Sequence, residues 1–152
     1  MKTPLNLPKA PLKLVRKPGG IYVWCIIRKK ELLLTPEEWV RQHVIHFLIN
    51  EKQFPVGLIA SEYSLVYNGI AKRADIVVFD RSTQPVLIVE CKAPEISLSE
   101  ATVRQIAQYN YQLGVDFLLL TNGINHVVCK IDRNLGKMRY LEELPSYEEI
   151  IG

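Results

Sequence analysis

Cysteine and long apolar runs are both scarce in this sequence, and their scarcity excludes several classes of protein. The 152 residues contain three cysteines, Cys25, Cys91 and Cys129, which are widely spaced and form no C-x-x-C pair. This pattern argues against a disulfide framework or a zinc site and favours reduced thiols in a cytoplasmic protein. No apolar run reaches the roughly 18 residues of a membrane span. The N-terminus lacks the apolar stretch of a secretory signal, so we expect no association with membranes.

Acidic residues are missing from the first 30 positions, although the whole composition is that of a globular protein, with 48% hydrophobic and 23% charged residues. The length favours one domain with a buried core. Residues 1–19 are rich in proline and basic side chains, and Gly19-Gly20 follows. We therefore predict an extended or mobile arm at 1–19 and a single domain at 20–152. The arm could lie along a phosphate backbone or remain a solvated tail.

Helix and strand signals alternate along the rest of the chain. Thr35 is a good N-cap for a helix that ends near Lys52, and Ser97 with Glu100 resembles a capping box for a second helix ending at Gly114. Apolar runs predict strands at 21–27, 32–34, 58–67, 74–80, 86–92, 117–120 and 126–131. A short helix is expected at the C-terminus. The most apolar of these runs indicate central strands covered on both faces. The predicted fold class is therefore α/β, with one mixed sheet packed between helices.

The segments around residues 77 and 88 are predicted to form a hairpin. If residues 81–84 form its loop, Asp80 faces Pro85 and Asp75 faces Glu90. Directly opposed residues point to the same side of a sheet, with Cβ atoms about 4.5–5.5 Å apart. Two acidic side chains are therefore expected to meet at one end of an otherwise apolar hairpin.

Lys92 adds a positive charge to this end of the hairpin because it lies two residues beyond Glu90, on the same side of the strand. Opposed carboxylates such as those of Asp75 and Glu90 destabilise a sheet unless something neutralises them. Paired carboxylate oxygens suit a hard divalent cation such as Mg²⁺, and a lysine beside it can orient a water or stabilise charge on a phosphate. The sequence favours this metal site over a purely structural ion cluster.

These residues resemble the signature of the PD-(D/E)xK nuclease superfamily, which has the restriction-endonuclease-like fold. More closely, the chain is similar to the N-terminal nuclease domain of the R subunit of type I restriction enzymes. The matching stretches are 35–42, 72–78 and 87–94, and Gln105 to Tyr109 matches the Q-x-x-x-Y element of several of these nucleases. Position 74 departs from the pattern because it is alanine rather than the proline of the superfamily name.

The resemblance implies a catalytic role for four side chains. Asp75 and Glu90 would ligate one or two Mg²⁺, for which Mn²⁺ can substitute, and the backbone carbonyl of Cys91 would add an oxygen. Lys92 would position or activate the attacking water. Glu38 would reach the site from the first helix as a further ligand, although it is also explained as the capping-box partner of the N-cap before it.

The resemblance also implies contacts with DNA. Gln105 and Tyr109, one helical turn apart and so on one face, would contact DNA or orient the catalytic lysine; they could equally form the polar edge of an amphipathic helix. Arg41 and Arg73 would support the site or bind DNA. Glu62, on the preceding strand, could join the site, but a solvated strand face explains it better.

The implied activity is that of a Mg²⁺-dependent DNA endonuclease without a translocase. The 152 residues contain no G-x-x-x-x-G-K-[ST] loop, so we expect the chain to act alone, as a homodimer, or with a separate motor or specificity subunit. Two alternatives stay open: a non-catalytic DNA-binding or assembly module on the same fold, and a nuclease acting on RNA or branched substrates.

Overall fold

The computed structural model describes residues 3–152 and, within that range, all side chains except those of Tyr67 and Ile70. Its helices and strands are, in chain order, β1 (Leu14–Lys17), β2 (Gly20–Cys25), β3 (Lys30–Leu33), α1 (Pro36–Asn50), β4 (Ile59–Tyr67), β5 (Ile70–Phe79), β6 (Pro85–Cys91), α2 (Glu100–Leu113), β7 (Phe117–Thr121), β8 (His126–Asp132), β9 (Lys137–Leu141) and α3 (Tyr147–Ile151). A single 3₁₀ turn, Val56–Leu58, leads into β4. No helix within the described range is long and apolar enough to cross a membrane.

The main sheet has six strands in the order β4-β5-β6-β7-β8-β9, and it is mixed because β6 and β7 run parallel while the other neighbours are antiparallel. Val40 and Val44 of α1 pack with Ile76 and Leu87 on one face. On the other face, α2 packs through apolar side chains such as Val103 against β7 and β8. The predicted α/β class, with a central mixed sheet flanked by helices, is confirmed.

The N-terminal segment forms a second, three-stranded sheet in the order β1-β2-β3. Because Leu14–Lys17 pairs with β2, the expected boundary after residue 19 falls inside a hairpin. Leu5 and Leu7 pack against the core beneath α1, and the Asn6 N–H donates to the Gly123 carbonyl at 2.8 Å. The described part of the basic arm is thus attached to the domain, whereas Lys2 lies outside the described residues.

The ends of the two long helices show which capping predictions hold. Thr35 accepts the Glu38 N–H at 3.0 Å and caps α1 as predicted. The prediction of Ser97 as the cap of α2 is wrong, because Ser99 fills that position. Leu98 and Val103 pack in the same apolar cluster, one residue before the cap and four after it, which is the arrangement of a hydrophobic staple. This contact places the start of the helix two residues later than the serine–glutamate spacing suggested.

The turn of the β5–β6 hairpin also differs from the prediction. Phe79, rather than Asp80, lies opposite Pro85, because the register shifts between Val78 and Phe79. The Asp80 carboxylate instead accepts two backbone N–H groups of the loop 81–84, at 2.8 and 2.9 Å, and so closes that loop. From Val78 towards the far end of the hairpin the strands keep the predicted register.

Candidate functional site

Asp75 lies where the pairing of β5 with β6 stops. The β5–β6 ladder reaches Ile76 opposite Val89, and continuing its register would place Asp75 opposite Glu90, as predicted. On the other side, the β4–β5 register pairs Ser61 with Ile76 and Tyr63 with Ala74, so that Glu62 of β4 lies opposite Asp75 between these two pairs. Glu62 has a φ of +51°, which is unusual for a residue other than glycine. Beyond the end of the β5–β6 ladder, the Cys91 N–H of β6 donates to Oδ2 of Asp75 at 2.7 Å. The Asp75 carboxylate thus takes the place of a main-chain acceptor on β5.

The helix α1 supplies a buried arginine that joins the acidic side chains. Nη2 of Arg41 lies 2.9 Å from Oδ1 of Asp75 and 2.9 Å from Oε1 of Glu37, while Nη1 pairs with Oε1 of Glu38. The second oxygen of Glu38 accepts a 2.8 Å bond from Nε2 of Gln42. The Glu38 carboxylate therefore takes part in this network, so a capping box does not account for its side chain.

Burial opposes the charge on Arg41, but the carboxylates of Glu38 and Asp75 outweigh it and raise the pKa of the guanidinium above its ordinary value. The side chain of Arg41 is only 7% exposed, and that of Glu38 is 8% exposed. One permanent positive charge is therefore shared by the carboxylates of Glu38 and Asp75 and offsets part of their negative charge at the α1 side of the site.

Glu90 approaches the site from β6 and is paired differently. Nζ of Lys72 lies 3.2 Å from its Oε2, a long ion-pair contact, and the described part of the chain offers this buried oxygen no other hydrogen-bond donor. Burial raises the pKa of Glu90 to about 7, since the charge of Asp75 adds to the effect of burial and the attraction of Lys72 only partly offsets it. Glu90 is thus a carboxylate that lacks part of its positive counter-charge.

Lys92 directly follows β6 and is held against the neighbouring strand, because its backbone N–H donates to the Thr121 carbonyl at 2.8 Å. Its ammonium is near enough to lower the pKa of Glu90 slightly. The thiol of Cys91 is buried, and burial raises its pKa well above the ordinary value. The buried sulfur is therefore a neutral thiol rather than a metal-binding thiolate.

The predicted DNA-contacting residues are dispersed around this centre. Tyr109 of α2 reaches it through Lys72, whose Nζ lies 5.3 Å from the ring centroid. Gln105 is exposed on the same helix. Arg73 is exposed and points to the β4 side, where its Nη2 is 3.6 Å from Oε1 of Glu62. Arg41, by contrast, is buried in the network with the acidic residues.

Lys72 is the main residue of this region to which the sequence patterns assigned no role. It lies in a stretch that matched the nuclease pattern, three residues before Asp75. The side chains of the two residues have different partners, because Asp75 pairs with Arg41 and Lys72 with Glu90. Residues 72 and 74 share a side of β5, and Ala74 packs on the α2 face of the sheet. This alternation was the available signal that Lys72 and Tyr109 would meet.

The donor set fits a hard divalent cation, although the residues described do not present a ready cluster. Within residues 3–152, no three His, Cys, Asp or Glu side chains are arranged to hold a metal ion. Asp75 and Glu90 nevertheless offer the carboxylate oxygens that Mg²⁺ prefers, and the buried Oε2 of Glu90 has only the Lys72 ammonium, at 3.2 Å, as a partner among the described residues. A cation would supply what this oxygen lacks, provided that Lys72 moves.

Comparison with known protein families places the chain in a class. The model of the family described as the type I restriction enzyme R protein N terminus matches residues 36–145, so the chain belongs to this family. Its relationship to the restriction-endonuclease-like nucleases is thereby confirmed, and membership supports a nuclease-like function. No curated protein matches the sequence.

Two solved structures show limited similarity. A candidate HsdR subunit of a type I restriction enzyme from Vibrio vulnificus YJ016, solved as a fragment, is 23% identical over 68% of this chain, with a TM-score of 0.48. This chain spans only 22% of the length of that one. A candidate nuclease of the DUF820 group from Anabaena variabilis ATCC 29413 is 13% identical, with a TM-score of 0.49, and the match covers 91% of this chain and 87% of the other.

Proposed function

We propose that this protein is a divalent-metal-dependent DNA endonuclease. The observation that carries the proposal is the buried Glu90 carboxylate, whose Oε2 has only the Lys72 ammonium, 3.2 Å away, as a partner in the described part of the chain, while Asp75 and Lys92 are near enough to shift its pKa. Buried charged groups of this kind are normally paired or bind metal ions. In a member of the type I R-protein N-terminal family, the most economical explanation is a metal site for phosphodiester hydrolysis.

Asp75 and Glu90 would hold Mg²⁺ or Mn²⁺, with the Cys91 carbonyl and the Glu38 carboxylate as further oxygens. The ion would supply Lewis acidity and lower the pKa of a bound water. Lys92 lies two residues after Glu90, just past the end of β6, so its ammonium would orient the attacking water or balance charge on the phosphate. These roles require the acidic side chains to stay fixed in orientation.

Arg41 and the Cys91 N–H provide that fixation. Each contacts a different oxygen of Asp75, at 2.9 and 2.7 Å respectively. A carboxylate held at both oxygens cannot rotate freely, and preorganisation of this kind lowers the cost of assembling a reactive geometry. We assign Arg41 as a positioning residue rather than a phosphate ligand, because its guanidinium is buried among acidic groups.

A basic turn lies at the rim next to Asp75 and offers a track for DNA. Arg28 and Lys29 lie in the turn between β2 and β3, Lys30 is the first residue of β3, and Arg28 pairs with Glu62, the neighbour of Asp75 on β4. Lys29 and Lys30 are exposed. Together with Arg73 they would contact phosphates on the β4 side, while Gln105 and Tyr109 would do so from α2.

The assembly in which such a nuclease works is also part of the proposal. One active site cuts one strand, so double-strand cleavage would need a homodimer or two successive nicks. A separate motor or specificity subunit would be a natural partner for a chain of this family, and a cytoplasmic location would give access to DNA.

The test is nicking of supercoiled plasmid in Mg²⁺ or Mn²⁺, comparing the native chain with Glu90→Gln. Glu95→Gln is a matched control, because it neutralises an exposed carboxylate five residues further along. Nicking that needs metal, survives in the control and is abolished in Glu90→Gln is the expected result. Equal nicking by Glu90→Gln and the native chain would contradict the proposal.

One observation favours a non-catalytic DNA-binding module as a second candidate. The protein already supplies a cation to each acidic group, since Arg41 pairs with Glu38 and Asp75, and Lys72 with Glu90. On this alternative, duplex DNA would bind in EDTA and bind equally well to Asp75→Asn, with no cleavage in any divalent metal.

A further inference from the structure

Lys72 occupies the position that a cation bound to Glu90 would need. Its Nζ lies 3.2 Å from Oε2 of Glu90, and both side chains are largely buried, at 16% and 11% exposure. The same ammonium lies 5.3 Å from the centroid of the Tyr109 ring. Lys72 is therefore held between a carboxylate on β6 and an aromatic face on α2.

The contact between Lys72 and Glu90 is a long ion pair. Oε2 of Glu90 has no other donor in the described part of the chain, and the ammonium lies 3.2 Å from it. Charge-assisted hydrogen bonds are normally shorter, at roughly 2.7–2.9 Å. The pairing is consequently a loose one that a better electrophile can replace.

A divalent ion and this ammonium cannot share the oxygen in the observed geometry. Mg²⁺ binds carboxylate oxygens at roughly 2.1 Å, so an ion on Oε2 would lie close to Nζ, and the two positive charges would repel each other. The ring of Tyr109 offers the ammonium an alternative, because the face of an aromatic ring attracts cations.

We propose that Lys72 is a positioning residue that stands in for the metal on Glu90 and is displaced towards Tyr109 when a divalent cation binds. The proposal rests on the metal-dependent function proposed above. In the metal-free protein Lys72 keeps the buried carboxylate in place, and on metal binding its charge becomes available beside the site. Mg²⁺ and Lys72 then exclude each other from Glu90.

The first measurement is Mn²⁺ affinity without DNA, for the native chain, Lys72→Met and Lys92→Met. Each variant removes one positive charge near Glu90, but only Lys72→Met also removes the competing contact. We expect Lys72→Met to bind Mn²⁺ more tightly than Lys92→Met by about two- to fivefold, the range of a single ion pair. Circular dichroism and thermal unfolding verify that both variants are folded.

The second measurement follows Lys72 in the native chain, where no substitution can disturb the fold. Acylation of its amine by a lysine-selective reagent, read by mass spectrometry, should become faster on addition of Mg²⁺, while that of exposed Lys137 stays constant. Unchanged acylation of Lys72 at saturating Mg²⁺, or weaker Mn²⁺ binding by Lys72→Met, would overturn the displacement and leave the nuclease proposal intact. Absence of Mn²⁺ binding by the native chain would instead overturn both.

Discussion

The Cys91 backbone N–H donates a 2.7 Å hydrogen bond to Oδ2 of Asp75, at the point where the ladder between β5 and β6 ends. A side chain thus takes the place of a main-chain acceptor, and the same side chain pairs with Arg41 through its other oxygen. Asp75 is therefore part of the fold as well as a proposed metal ligand, and the effects of replacing it on stability and on activity have to be measured separately.

Asparagine and alanine at position 75 should separate these two roles. Asp75→Asn keeps a carbonyl oxygen for the Cys91 N–H, whereas Asp75→Ala leaves that donor and Arg41 without their partner. We expect Asp75→Ala to lose about 1–3 kcal/mol of unfolding free energy and Asp75→Asn to lose less, with metal-dependent nicking abolished in both. Urea denaturation and plasmid nicking test this. Equal stability losses in the two variants would show that the hydrogen bond to Cys91 contributes little.

Arg41→Met should destabilise the protein strongly. It leaves the carboxylates of Glu38 and Asp75 close together without their shared cation, and removing one partner of a buried ion pair costs about 3–5 kcal/mol. Arg104→Met is the control, since Arg104 forms an exposed pair with Glu100 one turn along α2 and should cost at most about 0.5 kcal/mol. Urea denaturation should show this contrast; similar small losses in both variants would contradict the buried network.

The sequence contains enough information to predict the centre of the fold because its strongest signals are local. Continuous apolar residues over 117–120 predict a central strand, and β7 is found there. Thr35 followed by proline predicts the start of α1, and the pairing of Val78 with Leu87 follows from a hairpin loop over 81–84. Continued beyond Ile76, that register places Asp75 opposite Glu90, although the two side chains find different partners, Arg41 of α1 for Asp75 and Lys72 of β5 for Glu90.

Features that depend on tertiary packing escape such reasoning. The strand β9 carries exposed Lys137 and Arg139, so the sequence gives little apolar alternation by which to predict it. The strand is recognisable only from its pairing with β8 in the structure. The pairing of Arg41 with Asp75 joins residues 34 positions apart, and the meeting of Lys72 with Tyr109 joins a strand to a helix on one face. No local pattern predicts the first contact, and for the second the alternation along β5 indicates only that Lys72 lies on the face of the sheet covered by α2.

The raised pKa of Glu90 predicts a pH-dependent contribution to stability. In the folded protein burial raises this pKa from 4.5 to about 7, so between these values the folded state holds a proton that the unfolded state has released. The Glu90 contribution is therefore complete at low pH and declines as the pH rises towards about 7.

Glu90→Gln removes this titration, because an amide stays neutral throughout. The unfolding free energy of the variant relative to the native chain should rise between pH 4.5 and 7 and level off above that range, by at most about 3 kcal/mol. Urea denaturation at a series of pH values in EDTA measures the difference. A difference that stays constant with pH would show that the native carboxylate does not titrate there.

The basic turn beside β4 should dominate the salt dependence of DNA binding. Lys29→Gln combined with Lys30→Gln removes the two exposed charges that follow Arg28. The slope of log affinity against log salt should then become less steep by about 0.9 for each phosphate that the variant no longer neutralises. Lys137→Gln combined with Arg139→Gln removes the same charge from β9, at the opposite edge of the sheet, and should leave the slope unchanged. Fluorescence anisotropy of a labelled duplex in EDTA measures binding without cleavage. Equal changes in slope for the two double variants would mean that DNA does not follow the β4 side of the site.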